Sequence, residues 1–371
     1  MSSRVRQTFA LGTPWQTIDP FLFAMHHRDA YPNGNGDLGP DVSLAGRELG
    51  QDFSGTDGWS MYHGGTVPGF PAHPHRGFET ITYVRSGLID HADSLGAAAR
   101  YGRGDTQWLT AGAGVVHAEM FPLLDREAPN PLELFQIWIN LPSADKMADP
   151  HFTMLWDEDT PRFAATDDAG RTTQVVVVAG ALDGHRPPAP PPSSWASRPD
   201  ADVALWHLTF EPGAQWELPA AADERTQRVL YVFEGSSLTI DGQTVDAGHG
   251  AVVDATAPLD LVGGPDGVQV LVMQGRPIGE PVAQYGPFVL NDEAGIRQAF
   301  DDYRRTQFGG WPWRQDDPVH DTDSPRFARH ADGTIDTPEG DPSAARPAET
   351  AETRPAESAD TRPAEAATTA S

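Results

Sequence analysis

The chain has 371 residues, 39% of them apolar, with 10 tryptophans and no cysteine. The lack of cysteine excludes disulfides, thiolate zinc sites and thiol catalysis together. Its 53 acidic residues against 26 basic ones give a formal net charge of −27, which disfavours direct nucleic-acid binding, because a phosphate backbone requires a basic face.

The opening "MSSRVRQTFALGTPWQ" carries no long apolar core, so no secretory signal is expected and a reduced cytoplasm is the simplest compartment. No run of eighteen apolar residues follows, and no membrane span is expected. Residues 26–65 hold His26, His27 and His63. Short runs then recur that are rich in Val, Ile, Tyr and Trp: "TITYV" (80–84), "TQWLTAG" (106–112), "ELFQIWINL" (133–141), "TQVVVVAG" (173–180), "VALWHLTF" (203–210) and "VQVLVMQG" (268–275). Gly, Pro, Asp and Asn punctuate them, which is the pattern of an all-β sandwich or barrel. "TYVRSGLIDH" (82–91) has an echo in "LYVFEGSSLTI" (230–240), so two copies of one β-barrel are expected. The join is placed near 141–151, and the proline run 185–199 is read as a surface loop of the second half.

At 291 the period changes. "NDEAGIRQAFDDYRR" sets Ile296, Ala299, Phe300 and Tyr303 on one helical face, with Asn291 as cap and Arg304 and Arg305 at the dipole's negative end. Beyond 315 apolar residues become sparse and "RPAE" recurs at 346, 354 and 362; a disordered acidic tail is expected there. The predicted organisation is therefore a first barrel over 1–145, a second over 146–290, a helix over 291–314 and a tail over 315–371.

The chemistry lies in the first half. In "PAHPHRGFETITY" (71–83), His73 and His75 are two apart and so face one side of an extended segment. His117 and Glu119 in "GAGVVHAEMF" (112–121) repeat that spacing. If the two strands are neighbours, three neutral imidazoles and one carboxylate converge, a donor set suited to Fe, Mn, Ni, Cu or Zn. Such pairs also arise by chance, and spacing alone does not decide between a metal and local hydrogen bonding.

Longer motifs add to this. "HPHRGFETITYV", "DSLG" (93–96), "GDTQWLTAGAGVVHAEM", "FQIWINLP" (135–142) and "GEPVAQYGPFVLN" (279–291) resemble the pirin family of the cupin superfamily, over residues 10–313. The resemblance implies a bicupin, two jelly-roll β-barrels with a C-terminal helix. It implies one metal, usually iron, held in the first barrel at His73, His75, His117 and Glu119, with Glu119 the candidate catalytic group. It also implies a degenerate second barrel, and that half holds only His207 and His249 besides the loop residue His185. Glu79 matches the acid of the general cupin pattern and is expected to be structural. His91, Asp93 and Gln107 are candidates for orienting the ligands, and Asp105 for a turn. Residues 26–65 look longer than the corresponding family segment, so an extra loop near the pocket mouth is expected, with His26, His27 and His63 at its entrance or surface.

Two functions follow from the resemblance. One is a dioxygenase that opens a flavonol, quercetin-type ring with dioxygen, acting as a monomer on a small aromatic substrate. The alternative is a non-catalytic iron-dependent redox sensor working through a protein partner. Finally, Lys146 is the only lysine in the chain. A GC-rich genome explains arginine for lysine but not the acid excess, so adaptation to high salt is expected.

Overall fold

The computed structural model describes residues 3–338. Its regular structure is mostly strand, arranged as two barrels side by side. The first barrel pairs a five-stranded sheet, led by Phe21–Tyr31, Phe78–Ser86 and Asn130–Asn140, with a six-stranded sheet containing Gly69–His75, Val115–Met120, Leu88–Asp93 and Ala98–Gly102. The second pairs a seven-stranded sheet with a four-stranded one. The echo in the sequence is a shared hairpin. Phe78–Ser86 turns at Gly87 into Leu88–Asp93, and Gln227–Gly235 turns into Ser237–Ile240 in the second barrel. Gly87 sits at φ 80°, and an added Cβ would lie 2.6 Å from Leu132 Cδ1, so only glycine fits.

Inward-facing Val, Leu, Ile and Phe fill the second barrel. A separate apolar layer, with Ile81, Phe135, Ile137, Val229, Tyr231 and Leu271, joins the two barrels face to face. Trp15 stacks on Tyr231 there, with ring centroids 5.0 Å apart. The sheets do not divide the chain at 145/146. Val5–Ala10 pairs with His249–Val253 of the second barrel, and His151–Leu155 pairs with Thr106–Thr110 of the first. The proline run is more than a surface loop. Ser194 and Trp195 within it are buried, and Ser194 Oγ donates to Glu79 Oε2 of the first barrel at 2.6 Å.

The helix Glu293–Thr306 forms where expected, but its cap is Asp292, not Asn291. Asp292 has extended backbone angles and its carboxylate accepts from Gly295 N, whereas the Asn291 amide reaches back to Glu280 and Pro281. Ile296 and Ala299 pack with Phe288, Leu290 and Val116, so the helix braces the outer face of the strand that carries His117.

The tail boundary at 315 is corrected. Residues 315–338 fold back on the first barrel, and the rest of the expected tail, 339–371, lies outside the described residues. Phe327–Arg329 adds to the edge of Ala98–Gly102. Buried Arg100 holds Asp90 at 2.7 Å and donates to the carbonyls of His320, Asp321 and Ser324. The segment looked like tail because strand pairing and carbonyl capture use backbone, which composition does not display. No helix among the described residues is long and apolar enough to cross a membrane.

Candidate metal centre

Two strands of the six-stranded sheet carry the centre. Gly69–His75 pairs antiparallel with Val115–Met120, and His73 lies directly opposite His117. A register shift between Phe70 and His73 marks a bulge, the device that re-aims side chains beside active sites. The glycine-rich approach to His117 is sterically required at Gly114, where an added Cβ would lie 2.6 Å from the Phe308 ring.

His73, His75 and His117 each offer a nitrogen, and those nitrogens lie within 4.8 Å of one another. They are the only group of three or more such ligands among the described residues. His73 Nδ1 bonds the Pro71 carbonyl at 2.8 Å, which leaves Nε2 for the centre and orients the ring. His117 is fully buried, yet neither of its nitrogens has a hydrogen-bond partner, and His75 Nδ1 is likewise unpartnered. Orphaned buried nitrogens of this kind cost about 1–3 kcal/mol each. Burial holds His73 down to about 4 and His75 and His117 well below the ordinary imidazole range. The three rings are thus neutral lone-pair donors at physiological pH, as metal ligation needs. The donor set fits a cation.

Glu119 lies beside this cluster. Its Oε2 is 3.8 Å from His117 Nε2. Thr82 Oγ1 lies 3.1 Å from Glu119 Oε1 and 2.9 Å from Gln136 Oε1; with one hydrogen, it serves one acceptor at a time. Tyr101 Oη is 3.5 Å from Glu119 Oε1 and from Gln107 Oε1. Burial raises the Glu119 carboxyl above its ordinary range, and an adjacent cation would oppose that. Thr82, Tyr101 and Gln136 were not singled out from sequence. Their inward direction follows from period-2 alternation, but nothing in their identity distinguishes them from core residues.

The other candidates separate cleanly. His91 faces Glu119 across the Leu88–Asp93 pairing and lies 3.3 Å from Asp93 Oδ2; both are buried next to the cluster. Gln107 reaches it only through Tyr101. Glu79 is fully buried away from the cluster, between Thr110 and Ser194, with its carboxyl pushed up by burial to about 7. Asp105 accepts from Gly102 N as a turn residue and also holds Arg326 of the C-terminal segment. His207 sits between the barrels on Gln269, His249 bonds the Ala247 carbonyl, and His185 is on the surface.

The cluster opens into a cavity of about 610 Å³, within the range of small-molecule sites. Its walls are largely aromatic, with Phe23, Trp138, Phe70 and Phe121 among them. The 26–65 segment supplies part of that wall through Phe53, Ser60 and Tyr62. His26 and His27 line the cavity, while exposed His63 bonds the Gly50 carbonyl.

The family profile described as Pirin matches residues 2–139, and that described as Pirin C-terminal cupin domain matches 205–309. A pirin-like protein of Caulobacter vibrioides is 34% identical over 311 residues, covering 82% of this chain and 93% of that protein. A Pseudomonas aeruginosa protein provisionally named a quercetin 2,3-dioxygenase is 37% identical over 241 residues, covering 65% and 79%. The crystal structure of a quercetin 2,3-dioxygenase from Acinetobacter baumannii superposes with a TM-score of 0.63 at 23% identity, over 83% of this chain and 98% of that one, a likeness of fold. Both barrels and the long relatives agree, and the chain belongs to the pirin family.

Proposed function

We propose that the first barrel holds one metal ion through His73, His75, His117 and Glu119, iron in the first instance with Mn, Ni, Cu or Zn as alternatives, and that the protein uses it to open a flavonol-type ring with dioxygen. The observation that carries this reading is His117, buried with both nitrogens unpartnered, in a cluster whose His73, His75 and Glu119 line a cavity with aromatic walls. When bound, the ion would supply open coordination positions and redox capacity for substrate and dioxygen. The chain's own residues do the rest. The aromatic walls take up a flat substrate and keep water out. Glu119 takes the proton from the substrate's enolic hydroxyl. Thr82 then turns between Gln136 and Glu119 as that proton arrives. A substrate-sized cavity favours this enzyme over a redox sensor, which needs no such space.

The test is dioxygen uptake with quercetin by metal-loaded protein. Uptake should be rapid in the wild type and fall to background in Glu119→Gln, which keeps size and an oxygen donor but loses the base and the charge. No uptake by fully loaded wild type would favour the sensor.

We also place the protein in a salt-rich cytoplasm. The sole lysine, Lys146, is buried on the Gly77 and Val289 carbonyls, so no lysine offsets the surface acids. Thermal midpoints should climb as salt approaches about 1 M, where the Debye length shrinks to ~3 Å. A flat series would contradict salt adaptation.

A further inference from the structure

A second polar anchor faces the cavity across one aromatic ring from the metal cluster. Phe70 lies between them, its ring centroid 6.1 Å from His27 and 6.3 Å from His73. His27 and Asp29 alternate on the strand Phe21–Tyr31 and so share a face. Tyr62 Oη donates to Asp29 Oδ2 at 2.8 Å, and His27 Nδ1 lies 3.0 Å from the same Oη. The tyrosine has one hydrogen, which the carboxylate takes; His27 Nδ1 must then be the donor of the second bond. That tautomer leaves His27 Nε2 as a bare lone pair. It makes no hydrogen bond to any described residue, and the ring lines the cavity. Burial keeps the ring neutral, with its pKa lowered to about 4.

The arrangement is held at a cost. Tyr62 has φ 55°, a left-handed conformation that an aromatic residue adopts only when its surroundings impose it. The surroundings here are a mutual backbone pair, Asp52 N to Tyr62 O at 2.9 Å and Tyr62 N to Asp52 O at 2.8 Å. Arg47 pins Asp52 at 2.7 Å and stacks over Trp59 at 3.4 Å. Asp29 Oδ1 also accepts from Ser60 N at 2.9 Å. The segment 26–65 therefore carries a built support for one imidazole tautomer.

We infer that His27 Nε2 accepts a hydrogen bond from a hydroxyl on a substrate ring other than the one opened, so that the site selects polyhydroxylated aromatic substrates, with Tyr62 and Asp29 as positioning residues. This rests on the flavonol reading above and names its specificity determinant. The test measures anaerobic binding of 3-hydroxyflavone, galangin and kaempferol, which carry increasing numbers of hydroxyls on their outer rings, by quenching of tryptophan fluorescence. The wild type should prefer a polyhydroxylated ligand over 3-hydroxyflavone by about tenfold, the value of one hydrogen bond. His27→Phe should erase that preference, so that the three ligands bind with equal affinity. In aerobic turnover, Tyr62→Phe, which keeps the ring and frees the tautomer, should raise KM for the preferred ligand more than for 3-hydroxyflavone and act on KM rather than on kcat; a merely structural role would raise KM equally for both. Equal affinities in the wild type, or a preference that survives His27→Phe, would overturn the anchor and leave the substrate class standing. Failure to bind all three would overturn the substrate class and the anchor with it.

Discussion

A chain ending at Arg314 should melt on the order of 10 °C below the full-length protein, whereas a chain ending at Pro338 should melt with it. Removing 315–338 strips buried Phe327 and Ala328 from the open edge of Ala98–Gly102. It takes away the three carbonyls that share Arg100 with Asp90, and leaves that ion pair, 1% and 0% exposed, with a new solvent boundary. It also removes the Arg326 guanidinium from buried Asp105. Burial of one phenylalanine contributes about 2 kcal/mol, and each hydrogen bond to a charged group about 1.5–3 kcal/mol. These terms are not additive, but a net loss on the order of 5 kcal/mol is a large part of ordinary domain stability. Residues 339–371 contain no Val, Ile, Leu, Met or aromatic side chain, so their removal takes away no large apolar side chain. Coincident melts for the two truncations would show that the segment 315–338 does not support the barrel.

That segment also marks where the sequence stopped being legible. The barrels were readable because a strand buried on one face alternates with period 2, and "TITYV" or "ELFQIWINL" announces itself. The same period puts His73 with His75 and His117 with Glu119 on shared faces, so the cluster was readable once the strands were taken as neighbours. In 315–338 the apolar residues are isolated: Val319, Phe327 and Ile335 are far apart, and the docking runs through backbone and Arg100. Crossings were hidden for a related reason. Val5–Ala10 has no local feature that assigns it to the second barrel rather than the first. Thr82, Tyr101 and His27 are ordinary residues until the fold sets them around one space. Residues 26–65 stood out as a loop by their length beside the family segment, but 26–31 belong to the strand Phe21–Tyr31, and the tautomer of His27 depends on Tyr62 and Asp29, which only the fold brings to it.

The second large effect concerns the ligands. Partners that merely orient a metal ligand cost 10–100-fold in affinity when lost, so loss of a ligand nitrogen should exceed roughly 100-fold. His73→Ala, His75→Ala and His117→Ala should each do so while the barrel remains folded, because its core is apolar and independent of the ion. Removal of His117 even relieves two orphaned nitrogens, so its apo form should melt no lower than the wild-type apo protein by more than the small cavity explains.

The most direct measurement is metal content per chain after purification in excess iron, compared among wild type, His75→Ala, His117→Ala and His207→Ala. His207 is the control, a buried histidine of the same kind held on Gln269 between the barrels rather than in the cluster. One ion per chain is expected in the wild type and in His207→Ala, and close to none in the other two. Full occupancy in His75→Ala and His117→Ala, or loss in His207→Ala, would contradict a metal centre built on His73, His75 and His117.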